Sequence, residues 1–372
     1  MKLGQIISND PAKFKLFTEK FNKIKNKDIF NHLNGDLKNE VYHLEVDNEI
    51  LGGSQNFTLN LHEVNTLLHL EGLDFINYLN YRYQFKTYPK LKKESSFPPH
   101  LLIEPVSYCN LKCVMCFQVD KTFTSQKEMM GRMSLDLFKK AIDEAVNENC
   151  RALTLASRGE PTLHPQLKEM LEYASSFEHK FYDFKLNTNA TKLTTELSHH
   201  ILSSKVNNLV FSVDSDNKEE YETIRVGGVF EKVFENIKNF KIIKEKHYSN
   251  NPIKTRVSGV LVKNQKAEVI ESFWKEYVDE VALIRNLPRW DTYSNDKTDI
   301  TSPCDLLWER LYLWFDGSTN PCDFDYQTKL NTGRFPEQSI KEIWSSKKFQ
   351  QIRKLHLNKS RNILVPCDRC PL

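Results

Sequence analysis

The sequence lacks both a marked charge excess and a long uninterrupted apolar segment. Its 52 basic and 49 acidic residues leave a formal charge of +3 over 372 residues. A surface of such mixed charge has no general attraction for nucleic acid or for an acidic membrane. No segment approaches transmembrane length, and the first residues, MKLGQIISNDPAKFKLF, lack the apolar core of an export signal. We therefore expect a cytoplasmic protein without a nucleic-acid or membrane partner.

Seven of the eight cysteines fall into two groups, which in a chain without an export signal predicts metal ligands rather than disulfides. The first group is Cys109, Cys113 and Cys116 in the segment YCNLKCVMCF. Three thiolates at this spacing can bind one four-iron cluster and leave its fourth iron open, as in a reactive site. Zinc is the alternative, but the loop holds no fourth cysteine or histidine to complete its shell.

The second group contains four cysteines in a turn-rich region, and four thiolates can close a full ligand shell. On the residues alone, a structural zinc ion and a second iron–sulfur cluster are almost equally good explanations. Cys150 lies outside both groups and is predicted to be a small buried side chain. The members of the second group are Cys304, Cys322, Cys367 and Cys370.

Apolar runs and amphipathic segments alternate regularly after residue 96. The runs cover residues 101–106, 152–156, 181–186, 209–213, 255–262 and 280–284, with helical periodicity between them. Six strands with intervening helices predict an α/β fold, a partial (β/α)6 barrel over residues 96–286. Chemistry in such barrels gathers at the carboxyl ends of the strands, and the first cysteine group directly follows the first run. Residues 287–372 are predicted to form a small, irregular, cysteine-rich domain around a metal.

The first 95 residues predict an α+β extension of unknown role. Residues 11–27 carry apolar side chains at helical spacing, and residues 67–83 form a second helical segment rich in aromatic residues. Residues 41–46 and 57–61 alternate like short strands.

Polar residues follow several of the predicted strands. Gly159 and Glu160 come after the second strand, where glycine permits close backbone approach and a carboxylate can accept hydrogen bonds from an ammonium group. Asn189 follows the third strand, Ser212 ends the fourth, and Arg225 lies shortly after it. The residues alone also allow ordinary roles, with the amide and hydroxyl capping helices and Arg225 pairing with Glu222.

These features together resemble the radical S-adenosylmethionine (radical SAM) enzymes. In that family three cysteines hold a four-iron cluster, S-adenosylmethionine (AdoMet) chelates the open iron, and its cleavage releases a 5′-deoxyadenosyl radical. One departure is that Arg158 stands where relatives often have a second glycine. The resemblance implies the AdoMet contacts Phe117, Gly159, Glu160, Asn189, Ser212, Arg225 and Leu261.

The second cysteine group resembles the short auxiliary-cluster ("twitch") form of the SPASM extension found in radical SAM enzymes. Its layout is similar to that of the 2-deoxy-scyllo-inosamine dehydrogenases, which carry one extra four-iron cluster. The resemblance, which covers residues 101–372, implies two [4Fe–4S] clusters, AdoMet, and an electron donor such as flavodoxin or ferredoxin. A fully ligated auxiliary cluster is expected to carry electrons rather than activate substrate.

The segment between barrel and second cysteine group is the first candidate for substrate contact. It offers Trp290, Asp291 and Tyr293, and Asp214 after the fourth strand is a further candidate. Arg285 and Asn286 at the end of the sixth strand could serve equally well, and packing explains all of them too. Our first hypothesis is an oxidoreductase or epimerase acting on a carbohydrate or aminocyclitol. A peptide-modifying maturase and a metal-binding accessory protein are the alternatives.

Overall fold

The computed structural model describes residues 11–42, 57, 59–178, 180–262, 265–287 and 290–372. The chain divides into two compact units, one over residues 5–95 and the other beginning at Ser96. Over the described ranges, no helix combines the length and apolar character needed to cross a bilayer.

The described residues of the first unit are helical, with α1 (Pro11–Lys25), α2 (Gly35–Tyr42), α3 (Leu61–His69) and α4 (Gly72–Leu91). The prediction of a strand at 57–61 is wrong, because Asn60 is the N-terminal cap of α3. Its side chain accepts a hydrogen bond from the backbone of Glu63, whose carboxylate accepts one from the backbone of Asn60. This reciprocal pair is readable in the sequence as Asn-x-x-Glu before an apolar run. Most of the strand predicted at 41–46 lies outside the described residues.

The helix predicted at 67–83 is in fact two helices. The chain leaves helical geometry at Leu70, and α4 begins at Gly72, whose φ of +54° suits glycine. The second helix then runs further than predicted, with Pro89 in its last turn, and ends at Lys92 in the left-handed conformation.

The second unit alternates strands and helices, as the sequence predicts. It begins with β1 (His100–Ile103), β2 (Lys112–Cys113), α5 (Lys121–Thr124), α6 (Leu135–Asn147), β3 (Ala152–Leu155), α7 (Leu167–Ser176), β4 (Asp183–Thr188) and α8 (Thr195–Ser203). It continues with β5 (Asn208–Ser212), α9 (Lys218–Ile224), β6 (Arg225–Val226), α10 (Phe230–His247), β7 (Lys254–Leu261), α11 (Ala267–Trp274) and β8 (Glu280–Arg285). Side chains of Ser134, Thr194 and Asn217 cap α6, α8 and α9.

Six of these strands form the predicted parallel sheet in the order β1-β3-β4-β5-β7-β8. Neighbouring strands are in parallel register, with Leu101 opposite Leu153 and Phe211 opposite Val257. All six carboxyl ends therefore lie along one edge, where the loops that follow them can meet. The α/β fold class is confirmed.

The C-terminal region adds strands to the same sheet. It contains α12 (Leu306–Glu309), β9 (Arg310–Leu313), β10 (Ser318–Asn320), β11 (Gly333–Arg334), α13 (Ile340–Trp344) and α14 (Lys347–Leu357). The strand β9 pairs with β1 in parallel, and β10 and β11 follow in antiparallel order. Leu307, Trp308 and Trp344 belong to the same buried cluster as the barrel residues. The cysteine-rich region and the barrel thus share a sheet and a core.

Candidate active site

The first cysteine group lies in the loop that follows β1. Cys113 belongs to β2 and pairs with Arg225 of β6, so an antiparallel ribbon fixes the middle of the loop. The pKa of the Cys109 thiol is raised to about 12, mainly by burial. The nearby negative charges of Glu160, Cys113 and Cys116 raise this pKa further. A buried thiol with so high a pKa loses its proton when it binds a metal cation. Three soft donors in one loop fit an iron–sulfur cluster with one open iron.

Two residues implied as AdoMet contacts lie against the sulfur atoms of this loop. The amide nitrogen Nδ2 of Asn189 is 3.8 Å from Sγ of Cys109. The guanidinium nitrogen Nη1 of Arg225 is 3.8 Å from Sγ of Cys113. Hydrogen-bond donors beside thiolate ligands orient those ligands and tune the reduction potential of the metal site.

Glu160 is buried, and donors of the chain itself surround its carboxylate. Its Oε1 accepts hydrogen bonds from Thr188 Oγ1 at 2.7 Å and from the hydroxyl and backbone N–H of Thr162. Its Oε2 accepts one from the backbone N–H of Asn189 at 2.7 Å. Burial raises the pKa of Glu160, and these hydrogen bonds oppose that rise. Oε2 accepts this one hydrogen bond from the described residues, whereas Oε1 accepts three, so Oε2 retains a lone pair for a further donor.

Gly159 serves the contact between two loops. A Cβ at this position would lie 2.4 Å from the carbonyl oxygens of both Val106 and Tyr108, closer than real Cβ atoms approach. The next residue, Glu160, donates its backbone N–H to Tyr108 O at 3.0 Å. The glycine therefore allows the loop after β3 to pack against the cysteine loop. The sequence predicted that Gly159 would contact AdoMet.

Asp214, a predicted substrate contact, is instead fully buried and bonded to the chain. Its Oδ2 accepts a hydrogen bond from Arg225 Nε at 2.7 Å, and its Oδ1 accepts one from the backbone N–H of Val260 at 2.8 Å. Arg225 pairs with Asp214 rather than with Glu222, whose carboxylate accepts a hydrogen bond from the backbone N–H of Phe230. The carboxylate of Asp214 thus ties β5, β6 and β7 together.

The remaining implied AdoMet contacts fall into two kinds. Ser212 and Leu261 are partly buried at the carboxyl ends of β5 and β7, on the edge where the loops meet. Phe117 is buried, and its ring stacks on Tyr326 of the C-terminal region with centroids 4.9 Å apart. Its side chain therefore joins the cysteine loop to the C-terminal region.

Arg158, the departure from the family pattern, forms a buried ion pair with Glu104. Its Nε and Nη2 donate to the two carboxylate oxygens at 2.7 Å each. Its Nη1 donates to the backbone carbonyl of Tyr326 at 3.0 Å, and its guanidinium lies 4.2 Å from the ring centroid of Trp314. Arg158 differs from the residue that relatives often have at this position, but its partners Glu104 and Tyr326 are distant in the sequence and could not be predicted from it. Arg158 connects β1, the loop of Glu160 and the C-terminal region.

The four cysteines of the second group line one cavity. Burial raises the pKa of each of these thiols. Four soft donors around one cavity fit a fully ligated iron–sulfur cluster. Cys150 is buried elsewhere, with its Sγ 3.3 Å from the carbonyl oxygen of Ala152.

A second cavity, of about 250 Å³, opens at the carboxyl ends of β7 and β8, and we call it the central cavity. Its barrel wall contains Met115, which directly precedes Cys116, and Val260 of β7. Arg285 and Asn286 line it at the end of β8. The sequence indicated the last two as candidates for substrate contact, and they do line a cavity.

The opposite wall of the central cavity comes from the C-terminal region. It contains Arg310 and Tyr312 of β9, with Asp323 and Phe324 after Cys322. Phe324 also lines the cavity of the second cysteine group, so the two cavities share a wall. The central cavity thus lies between the two cysteine sites. The alternation of Arg310 and Tyr312 with leucines was the available signal for a strand with one polar face.

The predicted contacts at residues 290–293 do not line the central cavity. The hydroxyl of Tyr293 donates a hydrogen bond to Asp325 Oδ1 at 2.6 Å and accepts one from the backbone N–H of Gln327. Tyr293 therefore anchors the segment between the barrel and the second cysteine group to the C-terminal region. Burial raises the pKa of Tyr293. Trp290 is 37% exposed, and Asp291 adopts a left-handed backbone conformation in a turn.

Two family models match the chain. The Radical SAM superfamily model matches residues 103–271, and the SPASM iron–sulfur cluster-binding domain model matches residues 304–371. The chain is 24% identical over 323 residues to the tungsten-containing aldehyde ferredoxin oxidoreductase cofactor-modifying protein of Pyrococcus furiosus, covering 73% of this chain and 87% of that protein. It is 22% identical over 325 residues to the cysteine-type anaerobic sulfatase-maturating enzyme of Clostridium novyi, covering 73% and 84%.

Solved structures share the fold. BtrN in complex with AdoMet and 2-DOIA has a TM-score of 0.51 at 17% identity, covering 75% of this chain and 94% of that chain. SuiB of Streptococcus suis, bound to the precursor peptide SuiA, has a TM-score of 0.56 at 15% identity, covering 85% and 77%. These similarities and the two domain matches confirm the predicted resemblance.

Proposed function

Because the chain carries a radical SAM domain followed by a SPASM iron–sulfur domain, we propose that it is a radical SAM oxidoreductase. Its substrate is a carbohydrate or an aminocyclitol-like polyol, which it dehydrogenates or epimerises. The observation that carries this proposal is the central cavity. About 250 Å³ between the two cysteine sites suits a small polar molecule, and Asn286, Tyr312 and Asp323 offer hydrogen-bonding groups to hydroxyls.

The two cysteine groups would hold the cofactors of these domains. Cys109, Cys113 and Cys116 would bind the four-iron cluster that takes AdoMet, and the second group would bind an auxiliary four-iron cluster. When bound, the cluster and AdoMet supply a 5′-deoxyadenosyl radical that can remove a hydrogen atom from an unactivated C–H bond. AdoMet would lie along the carboxyl ends of the strands, where Ser212 and Leu261 stand.

Glu160 and Asn189 would position the methionyl part of AdoMet. The free capacity of Glu160 Oε2 suits one ammonium N–H, and the carboxylate is held in place by Thr162 and Thr188. Asn189 is fixed by hydrogen bonds to Asn110 and to its own loop. Arg225 would act through Asp214 and Cys113 rather than as a free carboxylate ligand.

The walls of the central cavity would hold the substrate and keep it from bulk water. Met115 on one side and Phe324 on the other present apolar surface that excludes other hydrogen donors. Conversion of a secondary alcohol to a ketone removes one hydrogen atom from carbon, one electron, and the hydroxyl proton. The second cysteine group would hold the auxiliary cluster, which would supply an electron acceptor, and Phe324 lines both that group's cavity and the central cavity.

A peptide-modifying maturase is the second candidate, favoured by the sulfatase-maturating relative and by the SuiB structure with its precursor peptide. The side chain of a peptide would then enter the same cavity. A maturase that binds a leader peptide often offers an exposed strand edge. The described residues of the first unit are helical.

Anaerobic reconstitution with iron and sulfide, followed by reduction with dithionite or with flavodoxin or ferredoxin, tests the proposal. We expect AdoMet cleavage to 5′-deoxyadenosine, and transfer of deuterium from a labelled polyol into that product. Transfer from a labelled peptide but from no polyol would replace the proposal with the maturase. An accessory protein would form no 5′-deoxyadenosine with either.

A further inference from the structure

We propose that the substrate of the central cavity carries an anionic group, a carboxylate or a phosphate, which is bound by Arg310 with assistance from Arg285. The proposal rests on the proposed function, because it assigns the substrate class of the same cavity. It narrows the polyols above to sugar acids and sugar phosphates.

Arg310 carries the first observation. Its Nη2 forms an ion pair with the adjacent Glu309. Its Nε, however, is buried and has no hydrogen-bond partner in the described part of the chain. Buried polar groups almost always have a partner, so an orphaned donor on a residue that lines a cavity indicates a ligand. A guanidinium can offer Nε and one terminal nitrogen together as a fork that matches two oxygens of a carboxylate or phosphate.

Arg285 carries the second observation. It ends β8 at the opening of the cavity, its side chain is exposed, and it makes no ion pair or hydrogen bond over the ranges that the structure describes. The adjacent Asn286 lines the cavity as well. An unpartnered guanidinium at the opening attracts an anion from solution, and a partly buried one within the cavity retains it.

The charges of the lining side chains agree with this assignment. Two arginines, Arg285 and Arg310, face one acidic side chain, Asp323, and the remaining polar groups, Asn286 and Tyr312, are neutral. Because Glu309 pairs with Arg310, Arg285 is the positive charge of the lining that has no acidic partner among the described residues. A neutral polyol would leave Arg285 without an anionic partner and would give Nε of Arg310 only an uncharged acceptor, which makes a neutral substrate the poorer match.

Equilibrium binding to the reconstituted holoenzyme, with AdoMet present, tests the proposal under anaerobic conditions. The probes are glucuronate, glucose 6-phosphate and glucose, which separate a carboxylate from a phosphate and both from a neutral sugar. We expect at least one anionic probe to bind about tenfold or more tightly than glucose, because charge-assisted forked contacts are stronger than neutral ones.

Variants locate the contact. Arg310→Gln should abolish the preference for the anion, Arg310→Lys should keep part of it, and Arg285→Gln should reduce it. The matched control is Arg256→Gln, since Arg256 pairs with Glu280 outside the cavity lining and should not matter. AdoMet affinity should be unchanged in all variants. A loss of AdoMet affinity in Arg310→Gln would overturn the proposal, because the anion would then be the AdoMet carboxylate.

Three further outcomes would also overturn it. These are equal binding of glucose and both anions, binding of none of the three, and an anion preference that survives Arg310→Gln. The proposed function fails separately, through absence of deuterium transfer from any polyol. Deuterium transfer from a neutral polyol, with no anion preference in binding, would leave the proposed function standing and reject the anionic substrate.

Discussion

Replacement of Arg158 by methionine should strongly destabilise the unit that holds both cysteine groups. The guanidinium is 3% exposed and donates to both oxygens of Glu104, which is fully buried. Methionine keeps most of the side-chain volume but leaves the carboxylate, among the described residues, with the backbone N–H groups of Arg158 and Phe315 as its partners. Removal of one partner from a buried ion pair costs about 3–5 kcal/mol. For a unit of this length the melting temperature should fall by about 6–10 °C.

A double-mutant cycle separates the ion pair from other effects of the substitution. Glu104→Gln alone leaves the Arg158 charge buried and should be destabilising too. The combined Arg158→Met, Glu104→Gln variant buries no charge, so the two changes should be coupled by about 2–3 kcal/mol. The ion pair of Arg256 with Glu280 is partly exposed, and Arg256→Met should cost only about 0–1 kcal/mol.

Thermal unfolding of anaerobically purified protein, followed by circular dichroism at one scan rate, measures these effects. Iron content before each scan shows whether the variants carry equal cluster loads. If Arg158→Met lowers the melting temperature no more than Arg256→Met does, the interpretation of the buried pair is refuted. Additive single-variant effects would refute the coupling.

Three further predictions concern the cysteine sites. Gly159→Ala places a Cβ against two backbone carbonyls, so the first cluster and AdoMet cleavage should be lost. The control Gly35→Ala has open space around its Cβ and should keep its iron content. Equal iron content in the two variants would contradict this prediction. Asn189→Ala removes an N–H donor from Cys109, so the reduction potential of the first cluster should fall. A redox titration without AdoMet, followed by electron paramagnetic resonance, measures this potential. An unchanged potential would count against the contact between Asn189 and Cys109. Cys322→Ala should lose the auxiliary iron and product formation but retain some AdoMet cleavage. Cys113→Ala should lose AdoMet cleavage entirely. Equal cleavage in the two variants would refute the assignment of AdoMet cleavage to the first cysteine group alone.

Local patterns in the sequence were sufficient to predict the strands and helices of the barrel and the two cysteine groups. Each barrel strand begins and ends within a few residues of its predicted bounds, as with β8, predicted at 280–284 and observed at Glu280–Arg285. This succeeded because apolar runs, helical periodicity and caps are local patterns. The capping pair of Asn60 and Glu63 is a local pattern of the same kind and indicates α3, whereas the alternation of residues 57–61 favoured a strand.

The pairing of polar side chains, by contrast, depends on how the chain folds and could not be predicted from local patterns. Asp214 looked like a substrate contact, yet it holds Arg225 and the backbone of Val260. Glu104 carried no sequence signal and Arg310 only that of a strand with one polar face, although one neutralises Arg158 and the other lines the central cavity. The physical reason is that the charge of a buried group is balanced by whichever residue the fold brings within about 3 Å, at any separation along the chain. Sequence spacing identifies the donors of a site, but packing determines which of them remain free for a ligand.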